Sequence, residues 1–192
     1  MMNSDKGMIR YTVKRSDRRT KTIEVRTDGT VLVRVPRRCT DRQAAEFVRQ
    51  NEAWIRKQLA RRASEAEKAD QDGLLTPEEI DALAEQALRV IPERVAYYAP
   101  LVGVTYGRIT IRNQKTRWGS CSAKGNLNFN CLLMLTPPEV IDSVVVHELC
   151  HRKEMNHSKR FYEEVLRVYP DYPRWNRWLK ENGGAILRRM TG

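Results

Sequence analysis

Long apolar runs are absent from this sequence of 192 residues. Runs such as Val144–Val146 and Cys131–Leu135 are far shorter than the ~20 residues that a membrane-spanning helix needs. Residues 1–14 are polar and basic, without the continuous apolar segment of a secretory signal. We therefore expect a cytoplasmic protein that does not bind a membrane.

Cysteine and histidine are both scarce. The four cysteines, at positions 39, 121, 131 and 150, form no C-x-x-C pair. The sequence thus predicts reduced thiols, and it offers no spacing typical of a disulfide framework or of a cysteine-based zinc site. All three histidines fall within the eleven residues from His147 to His157.

The composition excludes a disordered chain, with 41% hydrophobic and 31% charged residues. Lys and Arg number 35 against 24 Asp and Glu, a formal net charge of +11. A surface of this sign attracts polyanions and allows non-specific contact with nucleic acid. Charge alone predicts no specific partner of that kind.

The pattern of apolar residues predicts an α+β fold. Alternation between Met8 and Pro36 predicts a three-stranded antiparallel meander, with Asp28-Gly29 as the turn between its last two strands. Further alternation at residues 107–112 and at Leu127–Asn130 predicts a second sheet. We expect a single domain over 8–184, made of a β-rich lobe at 8–62, connecting helices at 63–100 and a core with C-terminal helices at 101–184.

The second sheet precedes a helix whose start is marked in the sequence. Thr136-Pro137-Pro138-Glu139 combines an N-cap threonine, proline at the first position and glutamate three residues after the cap. The predicted helix carries His147 and His151. Asn156 is a residue that tolerates a left-handed turn, which would bring His157 back toward them.

His147-Glu148-Leu149-Cys150-His151 is an H-E-x-x-H pattern. On a helix its two histidines lie one turn apart on one face, and Glu148 lies about 100° from His147. This arrangement suits zinc hydrolysis, in which two imidazoles hold the ion and the carboxylate accepts a proton from metal-activated water. We expect His157 to be the third ligand, and Glu163 or Glu164 is the alternative.

An oxyanion formed at such a site needs a cation or a hydrogen-bond donor. The sequence does not choose among the residues that could supply one, which are Arg117, Asn130, Tyr162 and Tyr172. Trp118 either lines a substrate groove or fills the core.

Several segments together resemble the YgjP-like metal-dependent hydrolases, which are related to the SprT-like zinc proteases. They are Arg117–Ser122, Pro137-Pro138-Glu139, His147–His151 and Met155–Phe161. The resemblance extends from about Ile9 to Leu179.

The resemblance implies a zincin-like core, in which an antiparallel sheet packs on the helix that carries the H-E-x-x-H motif. It implies one Zn²⁺ ion bound by His147, His151 and His157, with Glu148 as the general base. It also implies that an edge strand near Leu127–Cys131 pairs with an extended peptide.

The resulting hypothesis is a zinc-dependent metallopeptidase acting on a peptide or protein substrate. The alternative is a metal-dependent phosphohydrolase acting on nucleotides or other anionic phosphate compounds. A third hypothesis is a nucleic-acid-associated module with structural zinc. A fourth protein ligand would favour structural zinc. A groove beside an unpaired strand would favour a peptide, whereas a small pocket ringed by arginine would favour a nucleotide.

Overall fold

A computed structural model describes residues 9–190 of the chain, which divides after Glu67 into two compact units. Residue 8, where the predicted domain begins, lies outside the described residues. The first unit contains β1 (Thr12–Ser16), β2 (Thr22–Val25), β3 (Val31–Pro36) and α1 (Asp41–Gln50). It also contains most of α2 (Glu52–Asp72), whose last residues belong to the second unit.

β3 is the central strand of the first sheet, whose order is β1-β3-β2. β2 pairs antiparallel with β3 through a turn at Gly29, where φ is 80°. β1 instead runs parallel to β3, so the predicted antiparallel meander is wrong. The sequence of β3 is Val-Leu-Val-Arg-Val-Pro, and four of its six residues are buried. Such an apolar strand is most stable with a neighbour on each edge.

The second unit surrounds a mixed three-stranded sheet. Its elements are α3 (Pro77–Val102), β4 (Ile109–Arg112), β5 (Gly119–Cys121), β6 (Leu127–Asn130), a 3-10 helix (Cys131–Leu135), α4 (Pro138–Cys150), α5 (Lys159–Val168) and α6 (Tyr172–Arg188). Together the two small sheets and the helices make an α+β fold, as the sequence predicted.

β6 is the central strand of the second sheet, with β4 parallel to it on one edge and β5 antiparallel on the other. The sheet is therefore mixed, and the expected purely antiparallel sheet is wrong. Because both edges of β6 are occupied, the peptide-pairing edge expected near Leu127–Cys131 is also wrong. The edge strands are β4 and β5.

α4 is the helix around which the second unit packs. Val140, Val145, Val146 and Leu149 are all completely buried, and they point to different sides of the helix. A helix that is apolar all round has to be covered on every face. Here α3, α5, α6 and β5 pack against α4. Fully burying a valine side chain contributes about 1.5–3 kcal/mol, which exceeds the cost of about 0.7 kcal/mol or less for placing it in a helix.

α4 does not begin with the capping box that the sequence suggested. Its N-cap is Pro137, and no side chain caps it. The hydroxyl of Thr136 instead donates to the carbonyl oxygen of Leu133, at 2.7 Å, and Thr136 ends the 3-10 helix. The capping prediction is therefore wrong, because the preceding 3-10 helix competes for the same threonine.

The chain that follows α4 does not turn at a left-handed Asn156. No residue other than glycine has a positive φ in the described span, so that prediction is wrong. The backbone N–H groups of Arg152, Lys153 and Glu154 bond back to α4 and spread the turn over several residues. Ser158 then caps α5 through the N–H of Phe161, at 3.3 Å.

Membrane-spanning helices are not found in the part of the chain that the structure describes. Each helix between residues 9 and 190 is either too short or too polar to cross a bilayer.

Candidate active site

Three imidazoles converge at the C-terminal end of α4. His147 lies in the last turn of the helix, His151 is its C-cap, and His157 comes from the segment before α5. The Nε2 atom of His147 is 3.3 Å from that of His151 and 3.0 Å from that of His157. The spacing in the sequence thus becomes a cluster in which the three ligand atoms lie within 4.8 Å of one another.

Hydrogen bonds orient two of these rings. The Nδ1 atom of His151 lies 3.0 Å from the carbonyl oxygen of Glu154. A carbonyl oxygen only accepts, so Nδ1 carries the proton and Nε2 keeps its lone pair. The Nδ1 atom of His147 lies 2.8 Å from the hydroxyl of Tyr172. When Nδ1 donates to that hydroxyl, Nε2 is free to bind a metal.

Burial keeps the histidines on α4 neutral. It lowers the pKa of His147 to about 3, with a further contribution from the charges of His151 and His157. Burial likewise lowers the pKa of His151. A neutral imidazole is the form that binds a metal ion, so these side chains are ready as ligands at physiological pH.

The two nitrogen separations from His147 fit a tetrahedral zinc ion. With Zn–N bonds of about 2.0–2.1 Å, two imidazole nitrogens on one tetrahedral ion are separated by about 3.3 Å. The observed separations from His147 are 3.0 and 3.3 Å. Lone pairs that face each other this closely repel unless a cation lies between them, so the donor set matches a metal site.

Phe161 supports all three imidazoles from α5. Its ring centroid lies 4.8 Å from that of His147, 4.6 Å from that of His151 and 4.9 Å from that of His157. The Phe161 side chain is completely buried. Because its backbone N–H is held by the Ser158 cap, the start of α5 also fixes the position of His157.

Glu148 lies beside the histidine cluster and is only 6% exposed. Burial raises the pKa of its carboxyl group to about 8, and the positive charge of Arg117 opposes that rise. A carboxyl group with a pKa near neutrality can both accept and release a proton. The structure therefore places a group suited to proton transfer next to the three imidazoles.

Gly119 in β5 leaves the space that the Glu148 carboxyl group occupies. A Cβ atom at Gly119 would lie 2.6 Å from Oε1 and 2.9 Å from Cδ of Glu148. Gly119 is not among the glycines with positive φ, so its backbone conformation does not require glycine. The close approach of Glu148 does require it.

The sequence predicts that Glu148 is a general base, so Gly119→Ala, which displaces its carboxyl group, should lower turnover about 10- to 100-fold. Zinc content should stay unchanged, since the imidazoles do not touch this glycine. Steady-state kinetics with metal analysis would measure both. Ser120→Ala, on the next residue of the strand, is the control and should retain turnover. Normal activity in Gly119→Ala would contradict the expectation.

A cavity of about 270 Å³ lies next to His147 and Glu148. Other residues that line it include Thr116, Arg117, Trp118, Ser143, Asn176 and Leu179. The loop before β5 and the helices α4 and α6 thus form its walls.

The sequence model of the YgjP-like family, described as a metallopeptidase domain, matches residues 19–82 and 78–182. The chain belongs to the YgjP-like family. This confirms the resemblance seen in the motifs. At the level of the family, the chain is a metal-dependent peptidase domain.

Two solved structures are similar to about half of this chain. The metallopeptidase zymogen abylysin of Pyrococcus abyssi is 21% identical, with a TM-score of 0.43 over 47% of this chain and 93% of that one. The metallopeptidase zymogen jannalysin of Methanocaldococcus jannaschii is 21% identical, with a TM-score of 0.41 over 48% of this chain and 97% of that one. Curated proteins give no match. Membership of the YgjP-like family therefore rests on the sequence match.

The predicted substrate-contact residues of this YgjP-like chain occupy different places. Arg117 and Trp118 line the cavity. Tyr162 is 40% exposed, and its ring centroid lies 6.2 Å from that of His157. Tyr172 is 7% exposed, and its hydroxyl contacts His147. Its hydrogen bond makes Tyr172 a residue that orients the His147 ring.

Asn130 is completely buried, and it shapes the loop that carries Arg117. Its amide donates to the carbonyl oxygens of Gln114, at 2.6 Å, and of Arg117, at 2.8 Å. Its side-chain oxygen accepts from the N–H of Leu132, at 3.1 Å. With these bonds made, Asn130 fixes backbone rather than facing the cavity.

The two glutamates considered as alternative third ligands are paired with cations. Glu164 lies 3.0 Å from Lys153 and 2.9 Å from Arg167. Glu163 lies 3.5 Å from Lys159. Neither belongs to the group of His, Cys, Asp and Glu residues whose ligand atoms converge in the described part of the chain.

Three features were not predicted from the sequence. They are the contact between Gly119 and Glu148, the hydrogen bond from Nδ1 of His151 to the carbonyl oxygen of Glu154, and the cavity. One signal was present, since an isolated glycine in a strand often marks a close approach of another group. The Trp118-Gly119-Ser120 segment carries that signal. The other two features depend on the turn after α4 and on packing between distant elements.

Proposed function

We propose that the chain is a zinc-dependent metallopeptidase with a zincin-like core. One observation carries the proposal: the Nε2 atoms of His147, His151 and His157 converge beside the buried carboxyl group of Glu148. The helix that holds them packs against β5 of the second sheet. Membership of a metallopeptidase-domain family supports the same activity.

His147, His151 and His157 would hold the ion. A zinc ion there would supply a Lewis acid and would lower the pKa of water to about 7. Glu148 accepts a proton as the water oxygen bonds to the peptide carbonyl carbon. It then delivers that proton to the amine nitrogen as the C–N bond breaks. Tyr172 keeps the His147 ring in place through both steps.

The number of protein ligands supports a catalytic rather than a structural metal. In the described residues the cluster has three members, all of them histidines. Structural zinc sites almost always use four protein ligands, whereas catalytic sites use three and keep one position open. The hypothesis of a nucleic-acid-associated module with structural zinc is therefore disfavoured.

β5 offers a free edge on which a peptide could bind as a further strand. Trp118 accepts a backbone hydrogen bond from β6, and Ser122 donates one to the residue before β6, both at 2.9 Å. Bonded residues alternate along an antiparallel strand, so the N–H and C=O groups of Gly119 and Cys121 point away from β6. Within residues 9–190, no other backbone group pairs with this side of β5.

This edge favours a peptide substrate because an extended chain would lie next to Glu148. Gly119 contributes to the edge and also touches Glu148. A peptide paired with β5 would thus pass close to the proton-accepting group. The free edge supports a peptide substrate over the other hypotheses.

A metal-dependent phosphohydrolase is the second candidate function. The observation that favours it is Arg117, a cation on the wall of the cavity beside His147 and Glu148. The formal net charge of +11 would also attract phosphate compounds. The same metal site could activate water against a phosphorus centre.

We expect the zinc-loaded protein to cleave unstructured peptides, to lose activity on chelation and to regain it when zinc is restored. N-methylation of a peptide N–H that pairs with β5 removes one hydrogen-bond donor. It should lower kcat/KM about 2- to 10-fold, which corresponds to the net free energy of one hydrogen bond. N-methylation of the neighbouring N–H, which points away from β5, is the control. Hydrolysis of nucleoside triphosphates with no peptide cleavage would contradict the proposal and favour the phosphohydrolase.

A further inference from the structure

Arg117 is the one permanently charged cation among the described residues that line the cavity. Two arginines of this unit, in contrast, are held in ion pairs: Arg94 with Asp142 at 2.6 Å, and Arg167 with Glu164 at 2.9 Å. Across residues 9–190, no carboxylate lies within 4.0 Å of the Arg117 guanidinium. The guanidinium on the cavity wall is therefore not held in a salt bridge.

The backbone that carries Arg117 is held on both sides. The amide of Asn130 donates to the carbonyl oxygen of Arg117, at 2.8 Å. The backbone N–H of Asn130 donates to the carbonyl oxygen of Trp118, at 2.9 Å. The Trp118 ring packs so closely on α6 that a Cβ atom at Gly183 would lie 2.9 Å from it. A fixed backbone at the cavity wall suits recognition of a particular group.

The order of charges from solvent inward favours an anion. Arg117 is exposed, whereas Glu148 is only 6% exposed and lies against Gly119. The guanidinium is therefore the charge of the cavity lining that solvent reaches, and the carboxyl group is the buried one. Thr116 and Asn176 add polar groups to the lining. A guanidinium can donate two parallel hydrogen bonds to a carboxylate or a phosphate, which a lysine cannot do.

We propose that Arg117 is a specificity residue that binds an anionic oxygen group of the substrate next to the bond that is hydrolysed. In a peptide this group is the carboxylate of an aspartate or glutamate, or a free C-terminus. In a phosphate compound it is a phosphoryl group that is not transferred. The inference rests on the proposed hydrolytic site and names the chemistry of the substrate that the site takes.

The first test compares matched peptides with the zinc-loaded protein. Each pair differs by Asp against Asn, or Glu against Gln, at one position flanking the cleaved bond. We expect kcat/KM to favour the acidic member at one of these positions. Arg117→Gln should lower kcat/KM for that acidic peptide about 10- to 100-fold, as expected for a lost hydrogen bond to a charged group, and change the neutral partner far less.

Lys115→Gln is the matched control, since it removes one positive charge from the same loop at an exposed residue that does not line the cavity. It should leave the preference unchanged. Arg117→Lys should recover part of the preference, because it restores the charge but not the paired hydrogen bonds. Equal kcat/KM for both members of every pair, or an equal loss for both in Arg117→Gln, would overturn the proposal.

A binding experiment separates this proposal from the proposed peptidase activity. Calorimetry with Glu148→Gln, alone and combined with Arg117→Gln, would use the acidic peptide, its neutral partner and each ribonucleoside triphosphate as probes. Binding of the acidic peptide or of a triphosphate that is weakened about 10-fold or more by Arg117→Gln supports the anion site. If only triphosphates bind in this way and no peptide is cleaved, the anion site stands and the peptidase proposal fails. If Arg117→Gln weakens binding of neither the acidic peptide nor any triphosphate, the anion site is overturned.

Discussion

Glu148→Gln should retain one equivalent of zinc and lose turnover about 10²- to 10⁴-fold, the usual contribution of a general base. Glutamine has nearly the same shape as glutamate, so it fits the space beside Gly119 and does not disturb the histidines. It cannot accept the proton that a carboxylate accepts. Metal analysis and steady-state kinetics on the same preparation would measure both quantities.

Glu163→Gln is the matched control, because it makes the same chemical change at an exposed glutamate whose partner is Lys159 on α5. It should leave both zinc content and turnover unchanged. Wild-type turnover in Glu148→Gln would exclude Glu148 as the base. Loss of zinc from that variant would instead make Glu148 part of the metal site.

The stability of metal-free Glu148→Gln at different pH values gives a second test of this carboxyl group. Burial raises the pKa of Glu148 to about 8 from an ordinary value of 4.5. The folded state therefore prefers the protonated carboxyl group, and stability falls as pH rises through the range between these two values. Because glutamine mimics the protonated form, Glu148→Gln should be the more stable protein, increasingly so from pH 4.5 to 8, by up to about 1.4 kcal/mol per pH unit. A pH-independent difference in denaturant midpoints would contradict this.

The clustering of the histidines follows from local geometry, which is why the sequence predicts it. A separation of four residues places His147 and His151 on one helix face whatever the surrounding fold. His157 is close enough in the chain to return by a short turn. The predicted clustering of the histidines did not depend on the kind of turn. The turn itself differs from the prediction, because Asn156 is not in the left-handed conformation.

Features that depend on partners far apart in the chain could not be predicted in the same way. The parallel pairing of β1 with β3 depends on which strand is the most apolar, whereas alternation only identifies strands. Thr136 was expected to cap α4, but a neighbouring 3-10 helix uses its hydroxyl. The contact between Gly119 and Glu148 joins β5 to α4, and it exists only once the sheet and the helix have packed.

Loss of the third imidazole should have the largest effect on metal affinity. We expect His157→Ala to weaken zinc binding more than 100-fold, because two imidazoles and solvent would remain where three imidazoles converge. Tyr172→Phe removes only the hydrogen bond to Nδ1 of His147, and changes of that kind typically cost about 10- to 100-fold. Competition with a zinc chelator of known affinity would rank wild type, Tyr172→Phe and His157→Ala in that order.

Two controls decide whether His157 is a ligand or a structural residue. Glu164→Gln tests the alternative carboxylate ligand on α5, and we expect wild-type affinity, since this glutamate already pairs with Lys153 and Arg167. His157 is exposed, so its replacement by alanine should leave the metal-free protein with an unchanged denaturant midpoint. If His157→Ala kept full zinc affinity while Glu164→Gln lost it, the site would be one of two histidines and a carboxylate. Weak zinc binding in a normally folded His157→Ala would instead establish a three-histidine site, the ligand set that leaves the +2 charge of zinc undiminished for polarising a substrate.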